Sequence, residues 1–347
     1  EMFYKYVNTD LAKEIDRIIP TSGFNTLVGH SYTASYLNYY IDAGNDNMTS
    51  YILFSPEKME RMPGFETKYK TKSPSVRIIT AMDDTEERQA FGRNLYENFQ
   101  KMKYDVKLHS IKADHMSVIP AGIMQALTSL YDKYYNIDSI YAAIERSDCP
   151  LWETFTSINE NNRTLYKQEL PVSGSCISAF LWTAIQKDEK ESIDKLRVYY
   201  ENALESENSD PNALGVMGDL MNKLGLWKEA DCYLQRCLDR YKKLKQEHET
   251  LYWRRVYSLN VLPKLGQYKK AWKILEEGKK IYPDDKAVFC YYQGVLSITN
   301  DFLIKKGIEQ LKIALKYPDV LKNNFVNSDE AEALLKKGIS KEKGVMP

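Results

Sequence analysis

The sequence predicts two parts in one chain, an α/β domain followed by an all-α repeat domain. Three observations carry this. Up to about residue 135, short apolar runs alternate with helix-like stretches, the pattern of strands joined by helices. One of those runs ends in Gly29-His30-Ser31 and passes at once into an apolar helix-like segment. From about residue 136 onward strand patterns give way to helical periodicity, and from residue 173 a set of small, aromatic and leucine positions recurs. A length of 347 residues leaves room for two domains.

Taken in order, the front part opens with an amphipathic helix over roughly 10–19. Four strand candidates follow, at 24–28, 49–54, 75–80 and 104–111. The first runs through Phe24 to Val28 into Gly29-His30-Ser31, and a helix over Tyr32 to Leu37 comes directly after it. The strand at 75–80 is followed by Ala81-Met82-Asp83-Asp84-Thr85-Glu86-Glu87. The strand at 104–111 leads to Ala113-Asp114-His115-Met116-Ser117-Val118 and an apolar helix from Ala121 to Leu130. Ligands in parallel α/β sheets bind beyond the carboxyl ends of the strands. Ser31, the acids near 84 and His115 all fall at such ends, in the order serine, acid, histidine. The chain has four histidines, His30, His109, His115 and His248.

The turn at Ser31 has the shape of the nucleophile elbow of α/β-hydrolases, a serine on a sharp strand-to-helix turn flanked by small residues. Gly29 meets the first demand for a small residue. Thr33 stands where the motif has its second glycine, with Ala34 behind it. On Gly29-His30-Ser31, Tyr51-Ile52-Leu53-Phe54-Ser55-Pro56 and Asp114-His115-Met116-Ser117-Val118, residues 1–135 resemble the back half of an esterase family of α/β-hydrolases. That family includes esterase D-like, feruloyl and siderophore (enterochelin-type) esterases. The resemblance implies Ser31 as nucleophile, His115 as general base and Asp84 as acid, with Glu86 as the alternative acid on the siderophore-esterase pattern.

These residue types suit the chemistry. A serine hydroxyl near neutral pH needs an imidazole to take its proton during attack. A carboxylate holds the imidazole tautomer and stabilises the imidazolium that forms. The tetrahedral oxyanion needs backbone N–H donors, and Tyr32, next after the nucleophile, is placed to supply one. The loop that supplies the second donor in this fold, with the first strands of the sheet, would lie upstream of Glu1. The expectation is therefore a hydrolase fragment, or a chain whose front part has been removed; a smaller sheet without a catalytic role is the alternative.

Residues 136–172 read as a helical connector, with Trp152, Phe155 and Leu165 as apolar anchors. Residues 173–347 read as helical repeats. Gly218, Leu224-Gly225-Leu226-Trp227, Ala230 and Tyr233 form one unit; Leu265-Gly266-Gln267-Tyr268, Ala271, Gly278 and Tyr282-Pro283 form the next. A looser copy runs through Phe289, Tyr292, Gly294, Gly307, Ala314 and Tyr317-Pro318, and a degenerate one precedes them, from Ser173 to Leu204. This pattern resembles the tetratricopeptide repeat, in which small residues let paired helices pack closely. Ala230 and Ala271 are 41 positions apart, longer than the usual repeat, which predicts an extension near 242–250. Some bacterial members of the esterase family carry such a tail.

Lys plus Arg and Asp plus Glu both number 48, so no basic excess points to nucleic acid. No apolar run approaches the length of a membrane span. Cys149, Cys176, Cys232, Cys237 and Cys290 show neither pair spacing nor metal-ligand spacing, and read as thiols. The sequence therefore implies no cofactor and no metal. The expected partners are a small-molecule ester and, through the repeats, a protein or a second copy of the chain. The resemblance to tailed bacterial esterases leans toward export. Two functions follow: a serine esterase with a helical tail, or a non-catalytic repeat protein carrying a decayed or truncated hydrolase domain.

Overall fold

The structure, a computed structural model, describes residues 6–19, 21–43, 48–58, 74–206 and 208–343. These are mostly helical, with one small parallel sheet. The chain divides into two compact units, 1–136 with 157–170, and 137–156 with 171–347. The stretch expected as a connector is itself helical, at Ile137–Arg146 and Leu151–Tyr166, and the division falls inside the second of these helices.

In the first unit, a π-helical segment Tyr6–Leu11 leads into α1 (Ala12–Ile18). Then come β1 (Thr26–His30), α2 (Tyr32–Ala43), β2 (Ser50–Phe54), β3 (Ser75–Ala81), α3 (Glu86–Lys101), β4 (Asp105–Ile111) and α4 (Val118–Leu130). The strands are parallel, in the order β1-β2-β3-β4, with Gly29 opposite Leu53 and Leu53 opposite Ile78.

Alternate side chains serve opposite faces of the sheet. Tyr51, Leu53, Val76 and Ile78 pack with Leu37, Tyr40 and Ile41 of α2 and Leu95 and Phe99 of α3. Ile52, Phe54, Ile79 and Ala81 pack with Val118, Ala126 and Leu130 of α4. Strands buried on both faces read as near-continuous apolar runs, as β2 and β3 do. Arg77 is the charged exception, and all three nitrogens of its guanidinium donate. It donates to Ser129 O at 3.0 Å, to Asp105 O at 3.0 Å and to Asp105 Oδ2 at 2.9 Å.

The first strand starts two residues later than the sequence suggests. Phe24 turns aside, with its ring 5.6 Å from that of Tyr131 and 5.4 Å from that of Tyr166. Asn25 offers its carbonyl to both Thr49 N–H and Ser50 N–H. The strand continues instead through Gly29 and His30, so that Ser31 follows its last residue directly.

The second unit is a succession of packed helices. Pro211–Lys223 packs on Trp227–Lys243, and Lys286–Thr299 on Ile304–Ala314. The short links between them make antiparallel pairs. Gly225 (φ 74) and Gly266 (φ 69) supply left-handed turns between helices. Ala230, Ala271 and Ala314 are fully buried. The long interval between Ala230 and Ala271 is taken up by the 17-residue helix Trp227–Lys243, a 3₁₀ turn at Glu247–Glu249 and a helix, Leu251–Val256, that passes into a π-helical turn at Tyr257–Val261.

One prediction tests this packing. A Cβ on Gly278 would lie 2.1 Å from Cε1 of the buried Phe289. Gly278→Ala should therefore destabilise the second unit by about 1–3 kcal/mol, the usual cost of overpacking. Urea unfolding followed by tryptophan fluorescence measures it, and an unchanged midpoint would refute the close approach.

Candidate active site

Strand ends position the site. Ser31 follows β1, Asp84 lies on the turn after β3, and His115 lies on the loop after β4. Ser31 has φ 56, left-handed backbone that is uncommon for a residue with a Cβ. Its N–H donates to Phe54 O at 2.9 Å, and its carbonyl accepts from Ser35 N at 3.1 Å. The residue is thereby tied to β2 on one side and to α2 on the other.

The turn works only because Gly29 has no side chain. A Cβ there would lie 2.8 Å from Ala34 Cα, Ala34 N and Thr33 O. The tight approach is between Gly29 and Ala34, so the small residue the turn needs on the helix side is Ala34. Thr33 is exposed, and its hydroxyl has a use of its own: it accepts from His30 N at 2.9 Å and donates to His30 O at 2.7 Å. Threonine at this position fastens the turn and does not obstruct it.

Three side chains then join in a line. Ser31 Oγ lies 2.9 Å from His115 Nε2, and His115 Nδ1 lies 2.7 Å from Asp84 Oδ2. Because a carboxylate only accepts, Nδ1 carries the proton and Nε2 is free to accept from Ser31. Of the two acids considered, Asp84 makes this contact, while Glu86 is exposed in the first turn of α3.

Asp84 is nearly inaccessible, with 2% of its side chain exposed. Burial pushes its pKa up. Hydrogen bonds from His115, Thr85 N–H and Arg88 outweigh that effect and leave it below the ordinary aspartate value. Its Oδ1 accepts from Thr85 N at 2.8 Å and Arg88 Nη1 at 3.2 Å.

Backbone bonds align the two loops. Met82 N–H donates to Ile111 O at 2.8 Å and Asp83 N–H to Ala113 O at 3.0 Å, carrying the β3–β4 pairing past the strand ends. Asp114 Oδ1 collects Met116 N, Ser117 N and Ser117 Oγ within 2.9 Å. Those bonds, that to the Ser117 hydroxyl first, hold its carboxyl below the usual range.

His30, between Gly29 and Ser31, also has a part. Its Nε2 donates to the carbonyl of His115 at 2.8 Å, and the two rings lie 4.7 Å apart. His30 carried no assigned role on sequence grounds; its position next to Ser31 was the available signal. Arg88 was missed as well, although it stands one helical turn after Asp84. His109 faces Gln125 on α4, with Nδ1 3.1 Å from the amide nitrogen, and is apart from the triad contacts. His248 is exposed beside Glu249. Tyr32 N–H occupies the first position of α2, where no intrahelical acceptor exists.

No protein-family model matches the chain, and no characterised protein or solved structure does either. Among the described residues no group of three or more His, Cys, Asp or Glu could hold a metal ion, and the five cysteines are free. No described helix is long and apolar enough to cross a membrane.

Two predictions follow from this geometry. Gly29→Ala should cost about 1–3 kcal/mol, because the contacts its Cβ meets are backbone atoms that cannot rotate away. Thermal unfolding of the first unit measures it, and wild-type stability would refute the close approach. The second concerns acid. A carboxyl whose folded pKa is depressed contributes stability that is complete above its unfolded pKa, about 3.9, and is lost as pH falls through the folded value. The stability difference between wild type and Asp84→Asn should be constant near neutrality and shrink below about pH 4. A difference that does not change with pH would show that the charge of Asp84 is unimportant.

Proposed function

We propose that this chain is a serine esterase that hydrolyses a carboxylic ester through Ser31, His115 and Asp84. The observation that carries the reading is the unbroken line from Ser31 Oγ through His115 to Asp84 Oδ2, with contacts of 2.9 and 2.7 Å. A serine at positive φ, wedged between a strand end and a helix start, supports it further. Backbone strain of this kind gathers at functional sites.

In this reading His115 Nε2 takes the Ser31 proton as Oγ attacks the ester carbonyl. Asp84 holds Nδ1–H and stabilises the imidazolium. The tetrahedral oxyanion is met by the N–H of Tyr32. Collapse expels the alcohol, which takes its proton from His115, and an acyl-Ser31 remains. Water then attacks with His115 as base, and the acid and free Ser31 are regenerated. The helical second unit is read as a tetratricopeptide-like array that binds a protein partner or a second copy of the chain, as stacked helix pairs commonly do.

A fluorophosphonate probe should label wild type at Ser31. Ser31→Ala should abolish both labelling and hydrolysis of short aryl esters. His115→Ala should lose nearly as much, since such residues act as a unit. Asp84→Asn should lower kcat by roughly 10⁴. Failure of Ser31 to react with the probe would overturn the esterase reading in favour of a non-catalytic repeat protein.

A further inference from the structure

Resting on that reading, we infer that Arg88 and Glu57 form a charge-neutral positioning pair that aims Asp84 at His115. The Arg88 guanidinium divides its donors between two carboxylates. Nε and Nη2 reach Glu57 Oε2 at 2.9 and 2.8 Å, and Nη1 reaches Asp84 Oδ1 at 3.2 Å. A planar fork can hold two acceptors at a fixed angle, which an ammonium cannot do.

The pair belongs to a closed circuit. Glu57 N–H donates to Ser35 Oγ at 2.8 Å, and that hydroxyl donates back to Glu57 O. Ser35 N–H donates to the carbonyl of Ser31 at 3.1 Å. The path therefore runs from Ser31 to Ser35, Glu57, Arg88, Asp84 and His115, and returns to Ser31 Oγ. It ties the ends of all four strands together through side chains and short loops. A simple ion pair between Arg88 and Glu57 does not need the third donor, and it is that donor which enters the triad.

The charges explain why Glu57 is present. A lone guanidinium 3.2 Å from Asp84 would draw off the carboxylate charge that must stabilise the imidazolium. Glu57 cancels the charge of Arg88 and leaves its N–H in place. Asp84, Glu57 and Arg88 together carry one net negative charge, and His115 faces it. The other groups near His115 are Ser31 and His30 from the end of β1, with the two imidazole rings 4.7 Å apart, and the exposed Asp114 of its own loop.

The test separates position from charge. In the full chain, the rate of Ser31 labelling by the fluorophosphonate is followed against pH in wild type, Glu57→Gln, Arg88→Met and the double variant. Glu57→Gln leaves a positive charge uncancelled, so the acid limb should move to lower pH. Arg88→Met leaves a negative charge uncancelled, so the limb should move to higher pH. Each shift should be roughly half a unit, as expected for one charge about two hydrogen bonds away in a partly solvated site. Arg88→Met should also slow labelling roughly ten- to a hundredfold through misplacement of Asp84. The double variant should recover the wild-type limb but not the rate.

Loss of a merely structural ion pair would affect both single variants alike. Limbs that stay put or move together therefore overturn the inference. Should Arg88→Met not fold, Glu57→Gln alone retains the sign test. An NMR titration of the His115 ring in the same variants should show the same opposed shifts whether or not Ser31 reacts. An unreactive Ser31 in wild type thus counts against the esterase reading alone.

Discussion

A left-handed backbone at Ser31, with φ 56, is held from both sides, and the candidate site depends on it. β2 takes the Ser31 N–H, α2 begins at the next residue, and Gly29 lets the first turn of α2 pass within a contact that any Cβ would block. The constraint lifts the hydroxyl off the sheet toward the loops after β3 and β4. An ordinary extended residue there would put its side chain along one face of β1, among the packed helices. Sheet order then supplies the partners. β3 and β4 are adjacent, and their backbone pairing continues beyond the strands, so the acid and the imidazole arrive already aligned.

Polar groups around the site are shared between elements in the same manner. Arg77 is buried and paired across β3, β4 and the end of α4. Asp84 is buried and receives three donors. A buried carboxylate without such donors would take up a proton and could no longer orient an imidazole. Thr85 caps α3 while its N–H faces Asp84. The residues that end one element thus set the ionisation of the next.

Much of this was legible in the sequence, for physical reasons. Strands buried on both faces leave continuous apolar runs, so β2 and β3 were placed within a residue of their observed bounds. A serine after Gly29 and a histidine before an apolar helix mark strand ends directly. The choice between Asp84 and Glu86 was not legible. The two lie two residues apart, and the pairing of Met82 and Asp83 with the β4 side, which turns Asp84 inward, is a tertiary fact. Thr33 was read as a departure from the motif because the pattern counts positions, whereas the steric demand falls on Ala34. Glu57 and His30 act through partners 31 and 85 residues away, which no local window contains, whereas Arg88 stands only four residues from Asp84 and was within reach of the sequence. In the second unit the helices were legible from their period, and the Ser173–Leu204 region was read without its π-helical turn at Ser178–Trp182, which has no strong sequence mark.

The parallel sheet also sets an order in time. Parallel neighbours need long crossovers, so each strand can pair only after the chain between has been made. Ser31 leaves the ribosome 84 residues ahead of His115, whose imidazole it meets in the folded domain. No local fragment of the chain holds the contacts among Ser31, His115 and Asp84. A nascent or partly unfolded molecule carries a serine without these contacts, which arise only with β4 in place. Whatever chemistry Ser31 performs is withheld until the domain around it is complete.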